Sequence, residues 1–355
     1  MSARRFLILL VILCLSVSAC CPATENITDA NYAPSENKPE VQDPSTFFSL
    51  KFLDVGHADA SIIICDGKAM LIDGGNAEDG STIYAFLRSL NISHLDYVIS
   101  THPHEDHVGG LIGPLHFVSV GTVYSPVTSG DTQTFNRFLE LMAEKEVEIT
   151  VPSPGDTFQL GSATVTFFGP IEATEDINNM SLVFKVEYGS QSVLFTGDAG
   201  VEEEAQILAA GYDISCDVLK VGHHGISDSS SPKWLWEADP DFAVISVGAE
   251  NAGGFPSEEV LYSLDKLGST TCRTDLLGHI SFSFTPSEIT YYTAPSSEVP
   301  YIDVTHICNL NTNKFHLPSC PCVEDIASWN ILEVDLLRGE LMLSGFSPCE
   351  MCIEY

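Results

Sequence analysis

The chain has 355 residues and carries 49 acidic against 15 basic side chains, a formal net charge of −34. That length accommodates one large domain and a small one. The charge counts against tight, sequence-independent DNA binding through a row of Lys and Arg on phosphates; so acidic a surface stays solvated and repels polyanions, and it also suits a salty habitat, where repulsion is screened.

The basic start of residues 1–5 precedes an apolar stretch over 6–17 that is too short to span a bilayer, so residues 1–20 read as an export signal. Val17-Ser18-Ala19-Cys20 resembles a lipobox, in which the cysteine is lipidated; a plain signal peptide cut nearby is the alternative. Residues 21–46, rich in Pro, Asn, Glu, Asp, Ser and Thr, read as a disordered tether from a lipid on Cys20, at the outer face of the cell membrane, to the folded body.

Alternation predicts a strand over 48–55, then a hairpin of 61–65 and 69–72 around the turn Asp66-Gly67, ending in Asp73-Gly74-Gly75. Ile83, Phe86, Leu87 and Leu90 share one side of a predicted helix over 81–90. Leu95-Asp96-Tyr97-Val98-Ile99-Ser100 is a buried-strand run leading into Thr101-His102-Pro103-His104-Glu105-Asp106-His107, and Val108-Gly109-Gly110 lets a helix begin close to that loop. The hairpin pattern recurs over 181–198, again strand, Gly turn, strand and Asp, with a helix over 202–210. It predicts two related halves with Asp73 and Asp198 at equivalent tips of two facing sheets; chance likeness of two hairpins is the alternative. A strand over 216–221 then ends in Gly222-His223-His224-Gly225, and strands over 242–247, 270–273 and 278–284 with a helix over 257–267 complete a layered α/β body. Cys65, Cys216 and Cys272 fall in or beside strand patterns and read as core residues.

Three imidazoles and two carboxylates fall within the six residues from His102 to His107. His102 and His104 alternate and can face one ion, while Asp106 and His107 follow the turn and can reach a second. A chance cluster of histidines is the bland alternative, but the spacing sits on a loop leaving an apolar strand, where functional side chains concentrate. Asp198 and one or both of His223 and His224 follow other strand ends in the same way. Imidazole with carboxylate suits zinc, manganese or iron rather than calcium. A carboxylate such as Asp198 can bridge two ions at ~3.5–4 Å and leave a bridging water with a pKa lowered towards ~7, the nucleophile of a two-metal hydrolase.

The His-x-His-x-Asp-His motif, Thr196-Gly197-Asp198 and His223-His224-Gly225 resemble the metallo-β-lactamase superfamily, whose fold is a four-layer αββα sandwich, over residues 47–295. Leu53-Asp54-Val55-Gly56, Leu71-Ile72-Asp73-Gly74-Gly75, Leu194-Phe195-Thr196-Gly197-Asp198 and Asp217-Val218-Leu219-Lys220-Val221-Gly222-His223-His224-Gly225 resemble, more narrowly, the branch containing the extracellular domain of the DNA-uptake competence protein ComEC. The resemblance implies a first metal on His102, His104 and Asp198 and a second on Asp106, His107, Asp198 and one of His223 and His224. The other histidine of that pair would contact the scissile group; Asp106 and His224 are the catalytic candidates. Asp59 and Asp73 would fix imidazole rings. Where most members of the superfamily have a further His, this chain has Asn178-Asn179-Met180-Ser181, as the competence branch does, which implies a more open first site. His57 is expected to stack at its loop.

The tail, residues 300–355, places Lys314-Phe315-His316 and Cys320 ahead of Pro348-Cys349 and Cys352. His316, Cys320, Cys349 and Cys352 suit a tetrahedral structural zinc site, and the block resembles the small metal-binding module of the Ada DNA-repair protein. Disulfides, with Cys308 and Cys322 as spare partners, are the alternative in an oxidising compartment. The function expected is that of a membrane-anchored extracytoplasmic hydrolase of phosphodiesters, acting on DNA, nucleotides or cell-wall esters with two divalent ions, zinc foremost. A non-catalytic DNA-uptake or DNA-binding lipoprotein is the alternative from another class.

Overall fold

The computed structural model describes residues 47–249, 253–285 and 288–353; residues 1–46, read as export signal and tether, lie outside them. Their strands are β1 (Phe48–Phe52), β2 (Ser61–Cys65), β3 (Lys68–Ile72), β4 (His94–Ile99), β5 (Ser119–Tyr124), β6 (Ile149–Thr150), β7 (Thr157–Leu160), β8 (Ala163–Gly169), β9 (Val183–Tyr188), β10 (Gln191–Phe195), β11 (Val218–Lys220), β12 (Phe242–Ile245), β13 (Thr270–Arg273), β14 (His279–Thr285), β15 (Glu288–Ala294), β16 (His306–Asn309), β17 (Lys314–His316), β18 (Ile331–Val334) and β19 (Ser347–Pro348).

The first fifteen strands build two mixed sheets, in the orders β15-β14-β1-β2-β3-β4-β5-β6 and β13-β12-β11-β10-β9-β8-β7. Phe48, Phe52, Ile63 and Phe282 of the first sheet pack against Phe167, Phe184, Phe195 and Val244 of the second, forming the central apolar layer. The strands are covered on both faces, which is why they read as near-continuous apolar runs. Outside the first sheet, Ile62, Leu71 and Val98 meet Ile83, Phe86, Phe135 and Phe138 of helices Gly80–Ser89 and Gln133–Glu144. Outside the second, Leu194, Leu219 and Ile245 meet helices Val201–Ala210, Pro232–Ala238 and Glu258–Leu267. The result is the four-layer αββα sandwich.

The two halves share one plan. β3 pairs antiparallel with β2 and parallel with β4; β10 pairs antiparallel with β9 and parallel with β11. Asp73 follows β3 directly and Asp198 stands three residues past β10, so each crosses to the shared sheet end where an antiparallel hairpin gives way to parallel strands. Ligand sites in mixed α/β sheets gather at such ends.

Two diglycines clasp that end together. Gly74 N–H donates to His107 O at 2.7 Å and Gly110 N–H to Gly75 O at 3.0 Å. A Cβ on Gly110 would lie 2.0 Å from Gly74 O, and one on Gly109 2.6 Å from Ala77 N. These are backbone-to-backbone contacts with no flexible side chain to yield, so only glycine fits.

The tail forms a four-stranded sheet, β18-β16-β17-β19. It does not close its own core. Cys308, Phe315, Leu332, Val334 and Leu341 pack around Tyr84 of helix Gly80–Ser89. Tyr84 Oη donates to Asp335 Oδ1 at 2.8 Å, Arg88 Nη2 donates to Asp335 Oδ2 at 2.9 Å, and Glu333 N–H donates to Ser81 Oγ at 3.1 Å. Leu332 fits over Gly113, where a Cβ would lie 2.9 Å from its Cδ1. The small size of the tail is thus offset by apolar area borrowed from the body. No helix among the described residues is long and apolar enough to cross a membrane.

Gly110→Ala is expected to lower unfolding stability by at least about 2 kcal/mol through overpacking of backbone on backbone, read from the urea midpoint, while Gly339→Ala, in open space, leaves the midpoint near its original value.

Candidate metal centre

Every side chain of the site leaves the end of a buried strand. β4 delivers Thr101 to His107; His104 caps the single-turn helix Glu105–Val108, from which Asp106 and His107 project. β10 delivers Asp198, and β11 delivers His223 and His224. Both of these histidines are left-handed, with φ of 46° and 54°, a costly conformation for residues with a Cβ. Two such residues in succession turn the rings to different sides. His224 is 1% exposed and points Nε2 at Asp106 Oδ2, 3.4 Å away. His223 stays partly exposed, with Nε2 3.8 Å from Asp198 Oδ2 and Nδ1 3.5 Å from Asp228 Oδ1.

Asp106, His107, Asp198 and His224 bring one donor atom each within 4.8 Å of one another. His107 Nε2 lies 3.3 Å and His224 Nε2 3.9 Å from Asp198 Oδ2. Beside this group, His102 Nε2 is 3.7 Å from the same Asp198 oxygen and 3.0 Å from His104 Nδ1. Asp198 therefore stands between a pair, His102 and His104, and a trio, Asp106, His107 and His224. Where other members of the resembling superfamily have a further imidazole, Ser181 Oγ accepts from Asp198 N–H at 3.0 Å and Asn179 Oδ1 from Gly200 N–H at 2.9 Å. These residues hold the Asp198 turn rather than add a donor.

The rings are aimed from behind. Asp73 Oδ2 accepts from His107 Nδ1–H at 3.0 Å and from Thr101 Oγ1–H at 2.7 Å, while its Oδ1 accepts from Thr101 N–H at 2.8 Å. Ser246 O accepts from His224 Nδ1–H at 2.9 Å. Both bonds place the proton on Nδ1 and turn the Nε2 lone pair into the cluster. Asp59 lies 3.7 Å from His224 Nδ1 and forms a buried ion pair with Lys220, Oδ2 to Nζ 2.7 Å. His57 does not stack at its loop but lies tilted against the site: its ring centroid is 4.3 Å from that of His224 and 4.7 Å from that of Phe255, at interplanar angles of 43° and 49°. Lys220 was not assigned a role by motif reading. A lysine inside the apolar run Val218-Leu219-Lys220-Val221 is the signal that marks it, because such a charge requires a buried counter-ion.

Burial opposes ionisation of Asp198, but His107, His224 and His102 outweigh it and hold the carboxyl well below its usual range. Burial likewise opposes ionisation of Asp106, and the adjacent His224 and His107 reverse the shift downward. His102 is pushed well below the ordinary imidazole range by burial and by His107. Burial also disfavours a charged His107, yet Asp198 and Asp73 draw it well above that range. A field that holds a proton on an imidazole between two carboxylates will hold a divalent cation there instead. The residues fit that ion: His107 Nε2, His224 Nε2 and Asp198 Oδ1 are buried and take part in no hydrogen bond among the described residues, and buried polar atoms seldom remain so.

A second donor set lies in the tail. Parallel pairing of β17 with β19 sets Phe315 opposite Pro348, and Cys349 N–H donates to Phe315 O at 2.9 Å. His316, Cys320, Cys349 and Cys352 converge within 4.8 Å. Cys320 and Cys349 sulfurs are 3.9 Å apart as thiols, Leu317 N–H donates to Cys352 Sγ at 3.4 Å, and both ring nitrogens of His316 are buried and without a hydrogen bond among the described residues. Cys308 is buried in the tail core, whereas Cys322 lies beside the cluster, 3.3 Å from Met351 Sδ.

Residues 53–248 match the family model described as the metallo-beta-lactamase superfamily. The chain is 28% identical to ComE operon protein 3 of Bacillus subtilis over 65% of its own length and 32% of that protein. It is 30% identical to recombination protein 2 of Haemophilus influenzae, over 65% of the chain and 28% of the relative. It is also 28% identical to competence protein ComA of Neisseria gonorrhoeae, over 64% and 31%. The chain thus spans about a third of the length of these curated relatives.

Asp73→Ala is expected to free the His107 ring and weaken metal binding about 10–100-fold, as measured by competition with a chromophoric chelator; an unchanged affinity would refute the orienting role of that carboxylate.

Proposed function

The chain belongs to the metallo-beta-lactamase superfamily, and on that premise we propose that it is a dinuclear metallohydrolase cleaving phosphodiesters outside the cell membrane. The observation that carries the reading is the set Asp106, His107, Asp198 and His224 within 4.8 Å, with His107 Nε2, Asp198 Oδ1 and His224 Nε2 buried and free of hydrogen bonds among the described residues, beside His102 and His104 on the other flank of Asp198. A pure binding module has no need of so complete a donor set. Two divalent ions, zinc foremost and manganese or iron as alternatives, supply a water of lowered pKa and positive charge for the phosphoryl oxygens.

The chain's own residues divide the remaining work. His102, His104 and Asp198 hold one ion; Asp106, His107, Asp198 and His224 hold the other. Asp106, with a side chain 31% exposed, is the carboxylate that can orient an attacking water from the solvent side. His224 is fixed at both ring nitrogens, so contact with the scissile group and protonation of the leaving oxygen fall to His223, the partly exposed member of the pair. Asp73 and the Lys220–Asp59 pair keep the rings from turning. The names of the relatives, competence and recombination proteins, support a nucleic-acid or nucleotide phosphodiester; the net charge of −34 supports a small one. Export, and anchoring through a lipid on Cys20, belong to the same proposal, as does a structural zinc on His316, Cys320, Cys349 and Cys352.

Two outcomes check it. Asp106→Asn in metal-loaded protein is expected to lower the turnover of bis(p-nitrophenyl) phosphate at least about a hundredfold, and equal turnover would refute the mechanism. Metal analysis of the intact protein is expected to find about three ions per chain, and His316→Ala to lose one of them while kcat is kept.

A further inference from the structure

The loop that carries the metal donors has a second face. Glu105 and Gly109, on either side of Asp106 and His107, line a cleft of about 470 Å³ whose opposite wall is the tail. The body contributes Gln133 and Arg137 from the start of helix Gln133–Glu144; the tail contributes Asn311, Trp329 and Asn330. That volume is within the range of a nucleotide-sized ligand.

Three features of this cleft bear on what it binds. Its lining holds one acidic and one basic residue, Glu105 and Arg137, in a protein whose formal charge is −34. Arg137 is partly buried, yet its guanidinium forms no hydrogen bond or ion pair with the described residues, Glu140 and Glu144 acting on it only at a distance. Trp329 is 57% exposed although its backbone is fixed: it sits in the turn Ser328–Asn330, where Asn330 N–H donates to Ala327 O at 2.8 Å and Asn330 O accepts from Leu310 N–H at 2.8 Å. An exposed indole on a hydrogen-bonded turn offers a stacking face; a free guanidinium matches a phosphate; the amides of Gln133, Asn311 and Asn330 offer both donors and acceptors to a base edge.

We propose that this cleft binds the nucleoside flanking the scissile phosphodiester, its base stacked on Trp329 and an adjoining phosphate on Arg137. The inference rests on the phosphodiesterase reading and narrows its substrate to nucleotide esters. One guanidinium neutralises one phosphate, so the ligand is a short stretch, one or two nucleotides, in keeping with a surface that repels longer polyanions. The tail is then a wall of the substrate site.

The test compares thymidine 5′-(p-nitrophenyl phosphate) with bis(p-nitrophenyl) phosphate, which has no nucleoside, using the full metal-loaded chain. Trp329→Ala is expected to raise KM for the nucleoside ester about tenfold and leave both constants for the other ester unchanged, with Trp329→Phe close to the original protein. Arg137→Gln is expected to raise KM for thymidine 3′-phosphate 5′-(p-nitrophenyl phosphate), which adds the adjoining phosphate, and to flatten its salt dependence by about one phosphate contact. Equal effects on both esters, or none on either, would overturn the proposal. If the unaltered protein hydrolyses neither ester, the phosphodiesterase reading fails by itself, and anisotropy of a fluorescein-labelled tetrathymidylate decides the cleft. Binding that weakens about tenfold in Trp329→Ala upholds it. No binding, identical binding in the variant, or stronger competition by poly(glycerol phosphate) than by unlabelled oligothymidylate overturns it.

Discussion

A carboxylate buried at the meeting point of two sheets is the constraint on which the rest depends. Asp198 is 2% exposed, and a lone buried anion is untenable without counter-charge. The chain answers with four imidazoles whose nearest nitrogens lie 3.3–3.9 Å from one of its oxygens, those of His107, His102, His223 and His224. They approach in two pairs, His102 and His107 from the end of β4 and His223 and His224 from the end of β11, so the paired hairpins, these two parallel strands, the left-handed turn at His223-His224 and the glycine clasp at Gly110 all serve one convergence. A cation completes the balance that the imidazoles begin, which ties metal binding to the stability of the fold.

Most of this was legible in the residue order because each donor follows an apolar run of strand length. The His-x-His-x-Asp-His spacing, the Asp after each Gly-turned hairpin and the His-His pair could be placed on strand ends before any coordinates. Which histidine of the pair faces inward could not: adjacent residues on a regular strand would point to opposite faces, but these two are left-handed, and only the backbone angles direct the rings. The span from β5 to β8 was equally obscure. β5 is Ser-Val-Gly-Thr-Val-Tyr, mostly partly exposed, and β6 is two residues long, so neither offers a strong period. Helix Gln133–Glu144 does carry the helical spacing of Phe135, Phe138, Leu141 and Met142, a signal that was there to be used.

Lys220 and Tyr84 mark a different limit. Both are polar-tipped residues within apolar patterns, and their partners Asp59 and Asp335 are far away in the chain. Sequence can flag that such a group requires a partner; only the topology supplies it. The same holds for the cleft beside the metal loop, whose two walls are about two hundred residues apart in the chain, Gln133 and Arg137 on one side and Trp329 on the other.

The shared core around Tyr84 has a consequence for where this protein can be divided. The edge strand of the first sheet, β15, ends at Ala294, and the family match stops at residue 248, so a boundary near 295 looks natural on paper. Cutting there would strip Phe315, Leu332, Val334 and Phe346 from the body and leave the rings of Tyr84, His116 and Phe117 facing water. A fragment so trimmed carries every metal donor of the body and an adhesive flank as well; it would self-associate, and any loss of activity would be wrongly credited to the missing cysteines. Among the described residues, body and tail are one separable unit.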